Sequence, residues 1–138
     1  MIISPCGWFS VDEPEQWDRE DTPRGIVLHN WHLGGSIDIT SARRRERCEP
    51  ELIMELHEMR LKELGLPIQE TNVEQLANRV QVIHSLALNS QQFQVEAHLF
   101  WSCYCAEIRL DSPLDSEAQE RMNDFKNLLE SIQPLTVD

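Results

Sequence analysis

The chain has 138 residues, of which 41% are hydrophobic and 26% charged, and its formal net charge at pH 7 is -12. This length and composition predict one globular domain over residues 1–138 and exclude a disordered chain. The acidic balance argues against nucleic acid and anionic membranes as partners, because phosphate groups are bound by clustered Lys and Arg. It favours a basic protein as the partner.

The first six residues contain neither a basic segment nor an apolar stretch long enough for a signal peptide. No apolar run approaches the ~20 residues that a membrane-spanning helix needs. We therefore expect a cytoplasmic protein with no membrane partner. The four cysteines are then expected to be reduced thiols.

The first half of the chain predicts an antiparallel meander of three strands. Alternating apolar and polar residues indicate a strand at 7–13, followed by an acidic connection at 13–24. Apolar runs predict a second strand at 25–31 and a third at 36–42. Residues 33–35 form the turn between them, because its two glycines tolerate the positive φ of a tight hairpin.

A helix is predicted next, at 49–64, with Pro50 in its first turn and Gly65 and Pro67 as its stop. The residues expected to form its buried stripe are Leu52, Ile53, Leu56, Met59 and Leu64. Residues 68–79 are interpreted as a short helical turn, and the alternation at 80–88 predicts a fourth strand in the chain.

Residues 93–110 are strand-like throughout, which is too long for one ordinary strand and predicts a break near 102–104. The last helix is expected to open after Pro113, with Asp115 or Ser116 as its cap, and to end at Pro134. Its apolar face comprises Ala118, Met122, Phe125, Leu129 and Ile132. The order of elements predicts an α+β fold, an antiparallel sheet meander flanked by helices.

Sequence signatures of catalysis are missing from the chain. It contains no G-x-S-x-G, no P-loop and no G-x-G-x-x-G, and the pair His57-Glu58 does not extend to H-E-x-x-H because residue 61 is Leu. We therefore expect a protein that is not an enzyme and that carries no cofactor.

Cys103 and Cys105 are the first candidates for a metal site. In one strand their thiols would point the same way, and His98 could assist them. Zinc, however, needs four ligands, usually supplied as two pairs. Packing as small apolar residues is the favoured interpretation. His29 and His32, at the end of the second strand, are expected on the surface.

Two groups of residues are candidates for binding a partner. The basic run Arg43, Arg44 and Arg45 indicates either a contact for an anion or acidic partner, or a charged connection that balances nearby acids. Trp8, Trp17 and Trp31, together with Trp101, lie near strand ends, where aromatic side chains either anchor a partner or complete the core.

The opening residues 4–11, Ser-Pro-Cys-Gly-Trp-Phe-Ser-Val, followed by Pro14 and Trp17, resemble a G-x-F-S-[VF]-x-x-P-x-x-W pattern of an uncharacterised bacterial domain family. That family looks like the fold shared by the photosystem II extrinsic protein PsbP and a Ran-binding import factor. The closing residues 128–132 are similar to its final helix. The resemblance implies an antiparallel sheet packed between helices, an α/β/α sandwich, and binding or accessory roles without a catalytic residue.

These observations favour a non-enzymatic cytoplasmic protein-binding or accessory domain, such as an immunity-type protein that neutralises a toxin. The alternative is a small-ligand or metal-binding domain, or a minor enzyme, that uses Cys103, Cys105 and histidines in a cleft beside the sheet. A third hypothesis is self-association through an exposed sheet edge.

Overall fold

The computed structural model of the protein describes residues 1–66 and 68–135. Within these residues the chain forms two helices, α1 (Pro50–Glu63) and α2 (Ala118–Glu130). It also forms ten strands: β1 (Ile2–Ile3), β2 (Phe9–Val11), β3 (Asp18–Thr22), β4 (Gly25–His29), β5 (Ser36–Arg43), β6 (Ile68–Leu76), β7 (Arg79–Ala87), β8 (Gln92–Trp101), β9 (Tyr104–Pro113) and β10 (Gln133–Pro134). Neither helix has the length and apolar character that crossing a membrane requires.

Seven of the strands form one antiparallel sheet in the order β3-β4-β5-β9-β8-β7-β6, and β1, β2 and β10 form a small second sheet. The strand predicted at 7–13 is present as β2, but its predicted place in the meander is wrong, because β2 belongs to the small sheet. The meander consists of β3, β4 and β5, and β3 lies where an acidic connection was predicted. Its exposed charged residues hide the strand pattern and suit a sheet edge.

The two helices cover opposite faces of the large sheet, and the predicted α+β class is confirmed. On one face Ile37, Leu99 and Ile108 pack with Phe125 and its neighbours on α2, in the main core. On the other face Met54 of α1 packs with Val82 and Phe100 in a smaller cluster. The second face is thus only partly apolar, which leaves room for polar side chains beneath α1.

Helix α1 has the predicted position, but four of the five residues of its predicted buried stripe are wrong. Leu52, Leu56, Met59 and Leu64 are exposed, and Met54 and Leu61 are buried instead. The fifth residue, Ile53, is partly buried and packs in the smaller cluster, as predicted. The helix carries apolar residues on two sides, so its periodicity does not say which side meets the sheet. After it, Gly65 has a positive φ of 73°, as a helix stop requires. Pro67, the other predicted stop residue, lies outside the described residues.

The second half of the chain contains three successive hairpins, formed by the strands β6 to β9. Residues 68–79, interpreted as a helical turn, instead form β6 and the turn into β7, so that prediction is wrong. The residues of β6 are mostly exposed, which explains the missing alternation. The break predicted near 102–104 is confirmed as a two-residue hairpin turn between β8 and β9, in which Ser102 adopts a φ of 56°.

Helix α2 has the predicted apolar face, with Phe125 and Leu129 buried. It begins at Ala118 with Glu117 in the N-cap position, rather than the predicted Asp115 or Ser116. Asp115 instead binds the fully buried Arg121, whose guanidinium also donates to the carbonyl oxygens of Leu33 and Gly34. This arginine therefore fixes α2 to the glycine turn between β4 and β5.

Candidate metal centre

Strands β7 and β8 present three buried polar side chains to α1. The register places His84 directly opposite Glu96, and His98 follows Glu96 by two residues, so all three share one face of the sheet. The three residues are 0%, 4% and 7% exposed, respectively. His57 of α1 lies over them. Three imidazoles and one carboxylate thus converge between the helix and the sheet.

The distances among these side chains are close to those of a set of metal ligands. One donor atom from each of the four lies within 4.8 Å of the others. Glu96 Oε1 is 2.9 Å from His57 Nε2, 3.4 Å from His98 Nε2 and 4.0 Å from His84 Nδ1. In a tetrahedral zinc site, with bonds of about 2.0–2.1 Å, ligand atoms are roughly 3.4 Å apart. Small side-chain rotations would therefore close the site around one ion.

His84 is the most informative member of the cluster. It is fully buried, and neither of its ring nitrogens makes a hydrogen bond to any part of the chain that the structure describes. Leaving a buried polar group unsatisfied costs about 1–3 kcal/mol. Its Nε2 lies 3.4 Å from Glu58 Oε1, while Nδ1 faces Glu96. One nitrogen toward the centre and the other toward a carboxylate is the usual arrangement of a metal-binding histidine.

The electrostatics of the cluster favour the protonation states that a metal ion requires at Glu96 and His84, and oppose the one that it requires at His57. Burial alone would raise the pKa of Glu96, but hydrogen bonds from His57 and His98 outweigh it and lower that pKa to about 2. Burial lowers the pKa of His84, and the hydrogen bond to Glu96 raises the pKa of His57. An ionised carboxylate and a neutral His84 are therefore present at neutral pH, and at His57 a metal ion competes with the proton that the hydrogen bond to Glu96 favours.

The depressed pKa of Glu96 predicts how the metal-free protein responds to acid. The ordinary pKa is 4.5 and the folded value about 2, so the stabilising effect of the ionised carboxylate is full above pH 4.5 and is lost as the pH falls toward 2. Glu96→Gln should remove the contribution of this carboxylate. The free energy of unfolding of the variant should therefore fall less steeply with decreasing pH than that of the unsubstituted protein. Urea unfolding in the presence of a chelator measures both slopes. Equal slopes would contradict the prediction, and the exposed Glu15→Gln provides the control.

The donor set limits the ions that the cluster suits. Imidazole nitrogens and one carboxylate are typical ligands of Zn²⁺, Fe²⁺, Ni²⁺ and Cu²⁺, whereas Mg²⁺ and Ca²⁺ prefer all-oxygen sites. His57 is one-quarter exposed, so solvent reaches the cluster along the side of α1. The geometry can hold a transition-metal ion with an access route from outside.

Two of the tryptophans predicted to contact a partner are buried, so that part of the prediction is wrong. Trp8 stacks on Tyr104 with ring centroids 5.8 Å apart, and Trp17 donates its Nε1–H to Asp124 at 2.9 Å. Both complete the core, which their position at strand ends did not reveal. Trp31 is 74% exposed and stacks on His29, and it remains available for a contact.

Arg43, Arg44 and Arg45 lie exposed at the end of β5. The guanidinium of Arg43 lies 5.7 Å from the ring centroid of Tyr104, and the backbone of Arg44 donates to the carbonyl of Cys103. Arg43 and Arg44 therefore lie beside the turn between β8 and β9. Their role in binding stays a prediction.

Cys103 and Cys105 pack as small apolar residues, which was the favoured interpretation. Cys103 lies in the hairpin turn and packs against the main core, whereas Cys105 on β9 packs in the smaller cluster, so the alternative of two thiols that point the same way is wrong. Cys105 packs beside Cys48 in the cluster under α1. Burial raises the pKa of the Cys48 thiol to about 11, which keeps it protonated and therefore a poor metal ligand at neutral pH.

No protein-family model and no curated protein matches the chain. The solution structure of the cyanobacterial PsbP (CyanoP) from Synechocystis sp. PCC 6803 does match, with a TM-score of 0.73 over 96% of this chain and 89% of that chain, at 7% identity. The chain has a PsbP-like fold. The resemblance predicted from residues 4–17 and 128–132 is thereby confirmed at the level of the fold.

A crystal structure from Bacteroides thetaiotaomicron VPI-5482 shares the PsbP-like fold, with a TM-score of 0.66 and 14% identity. It matches 98% of this chain but 48% of that one, so the chain spans about half the length of the Bacteroides protein. At these identities the likeness concerns the PsbP-like fold alone and assigns no functional residue.

Proposed function

We propose that this protein binds a divalent transition-metal ion through His57, His84, Glu96 and His98. The observation that carries the proposal is His84, a fully buried histidine whose ring nitrogens lack hydrogen bonds within the described chain. A metal ion would be coordinated by Nδ1 of His84, and the Nε2–H group would donate a hydrogen bond to the carboxylate of Glu58. The alternative hypothesis from the sequence is a metal-binding domain with Cys103, Cys105 and histidines as ligands. The present proposal keeps the histidines and replaces the two cysteines with Glu96.

Zn²⁺ is the ion that fits best, because four protein ligands complete its tetrahedral shell. The four ligands come from α1, β7 and β8, so a bound ion would also tie the helix to the sheet. Such an ion would stabilise the fold in proportion to its affinity, since unfolding separates the ligands. The supported role is therefore the binding of a metal ion, and no catalytic reaction is proposed.

The proposal predicts one equivalent of Zn²⁺ bound by chelator-treated protein, as measured by isothermal titration calorimetry. Glu58→Gln should weaken the affinity by roughly 10–100-fold, the usual effect of removing a partner behind a ligand, and His57→Ala or His98→Ala should weaken it more. His29→Ala and His32→Ala are matched controls, because these are the two histidines outside the cluster. Equal affinity across all five variants would overturn the proposal.

An accessory, protein-binding role is the second candidate function. It is favoured by exposed apolar residues on α1, where Leu52, Leu56 and Met59 are all more than half exposed. These side chains point away from the metal cluster, so the two candidate functions are compatible. An immunity-type protein with a basic partner would be one instance of this role.

A further inference from the structure

A groove of about 970 Å³ runs between α1 and the sheet-edge strand β6. Its apolar lining comes from both sides and from the floor, and comprises Leu52, Met54, Val73, Val80 and Val82. Val73 on β6 is 64% exposed although its neighbours in the groove are apolar. Together with the half-exposed Leu52 on α1, Val73 gives the groove an exposed apolar surface, and apolar surfaces of this kind rimmed by polar residues mark sites of protein–protein contact.

The wall of the groove is strongly acidic. Glu49, Glu51, Glu55 and Glu58 line it, against the single basic side chain Arg47 among the lining residues. Glu51 and Glu55 are one helical turn apart and both exposed, so their charges face whatever enters. An apolar floor with an acidic wall selects a ligand that is apolar on one side and basic on the other.

We propose that this groove binds a basic amphipathic segment of another protein. An amphipathic helix lays its apolar face into such a groove, and Lys or Arg on its flank would pair with the carboxylates of Glu51 and Glu55. The inference rests on the second candidate function, a protein-binding role, and adds the surface and the chemistry of the partner. It does not depend on the metal site.

Charge argues against a second copy of this chain as the occupant. Each copy carries a net charge of -12, and four exposed glutamates stand on the wall of the groove. Two grooves face to face would place like charges opposite each other, which opposes association. A basic segment removes this repulsion.

The test uses a fluorescein-labelled synthetic peptide with Leu at helical spacing and Lys elsewhere, and a second peptide of the same composition in scrambled order. Fluorescence anisotropy with the full chain should show binding of the ordered peptide and at least tenfold weaker binding of the scrambled one. Val73→Lys should weaken binding by about tenfold or more, because it adds like charge and removes an apolar contact. Leu114→Lys is the matched control, at a leucine 58% exposed in the loop before α2.

The acidic wall is tested by Glu51→Gln combined with Glu55→Gln, compared with Glu13→Gln combined with Glu15→Gln away from the groove. The first pair should weaken peptide binding at low salt, and the second pair should not. No binding of the ordered peptide, or equal effects of Val73→Lys and Leu114→Lys, would overturn the inference. If the two lysine substitutions had equal effects, a protein-binding role would be assigned to another surface. A dimer in light scattering that Val73→Lys dissociates would also overturn it, with a second copy as the occupant.

Discussion

Replacing His84 with leucine is expected to abolish tight metal binding and, at the same time, to make the metal-free protein more stable. The metal-free protein buries an imidazole that lacks hydrogen bonds among the described residues. Replacing such a group by an apolar one of similar size removes a desolvation cost of about 1–3 kcal/mol. Calorimetric titration with Zn²⁺ and urea unfolding with a chelator measure the two effects on the same protein.

The opposite signs of the two effects separate a metal ligand from a structural histidine. If His84 served only to pair with Glu58, His84→Leu would destabilise the metal-free protein, because the pair would be broken. His32→Leu is the control, on the surface turn after β4, and should change neither quantity. A destabilised, still metal-binding His84→Leu variant would contradict both parts of the prediction.

The parts of the fold that could be predicted are those whose sequence pattern is strong. Alternation in β7 and the apolar face of α2, with Phe125 and Leu129, lie in elements that have one buried side and one exposed side. The glycines at 34–35 marked a true turn, because the positive φ values of 81° and 91° there suit glycine. In such segments local preference and burial agree.

The parts that could not be predicted lack this agreement. The edge strands β3 and β6 are mostly exposed, so no alternation marks them. Helix α1 has apolar residues on two sides, and the side that meets the sheet carries both the buried Met54 and Leu61 and the polar contact of His57 with Glu96. The sequence alone does not show which residues of the sheet lie beneath the helix.

The candidate metal cluster, which comprises His57, His84, Glu96 and His98, could not be predicted for a related reason. His57 and His84 lie on separate elements, and only the pairing of β7 with β8 brings His84 opposite Glu96. A shift of that register by one residue would turn the side chains to the other face. The available signal was Glu96-x-His98 within a predicted strand, because two such side chains share one face. That signal identifies half of the site and leaves His57 and His84 unassigned.

Trp8→Ala and Trp31→Ala are expected to differ strongly in their effect on stability, although the sequence placed both residues in one binding group. Trp8 is 1% exposed and packs between Phe9 and Tyr104, so its removal leaves a cavity and should cost about 3–5 kcal/mol. Trp31 is 74% exposed, and its removal should change stability by no more than about 0.5 kcal/mol.

Urea unfolding of the two variants, followed by circular dichroism so that the lost fluorophore does not matter, measures this difference. The expected loss at Trp8 is large because its ring connects the small sheet to the turn between β8 and β9, where Tyr104 begins β9. Similar midpoints for Trp8→Ala and the unsubstituted protein would show that Trp8 is not part of the core. The pair therefore tests whether the sequence pattern of the opening residues serves the fold, as the burial of Trp8 indicates, or a partner, as its position near a strand end suggested.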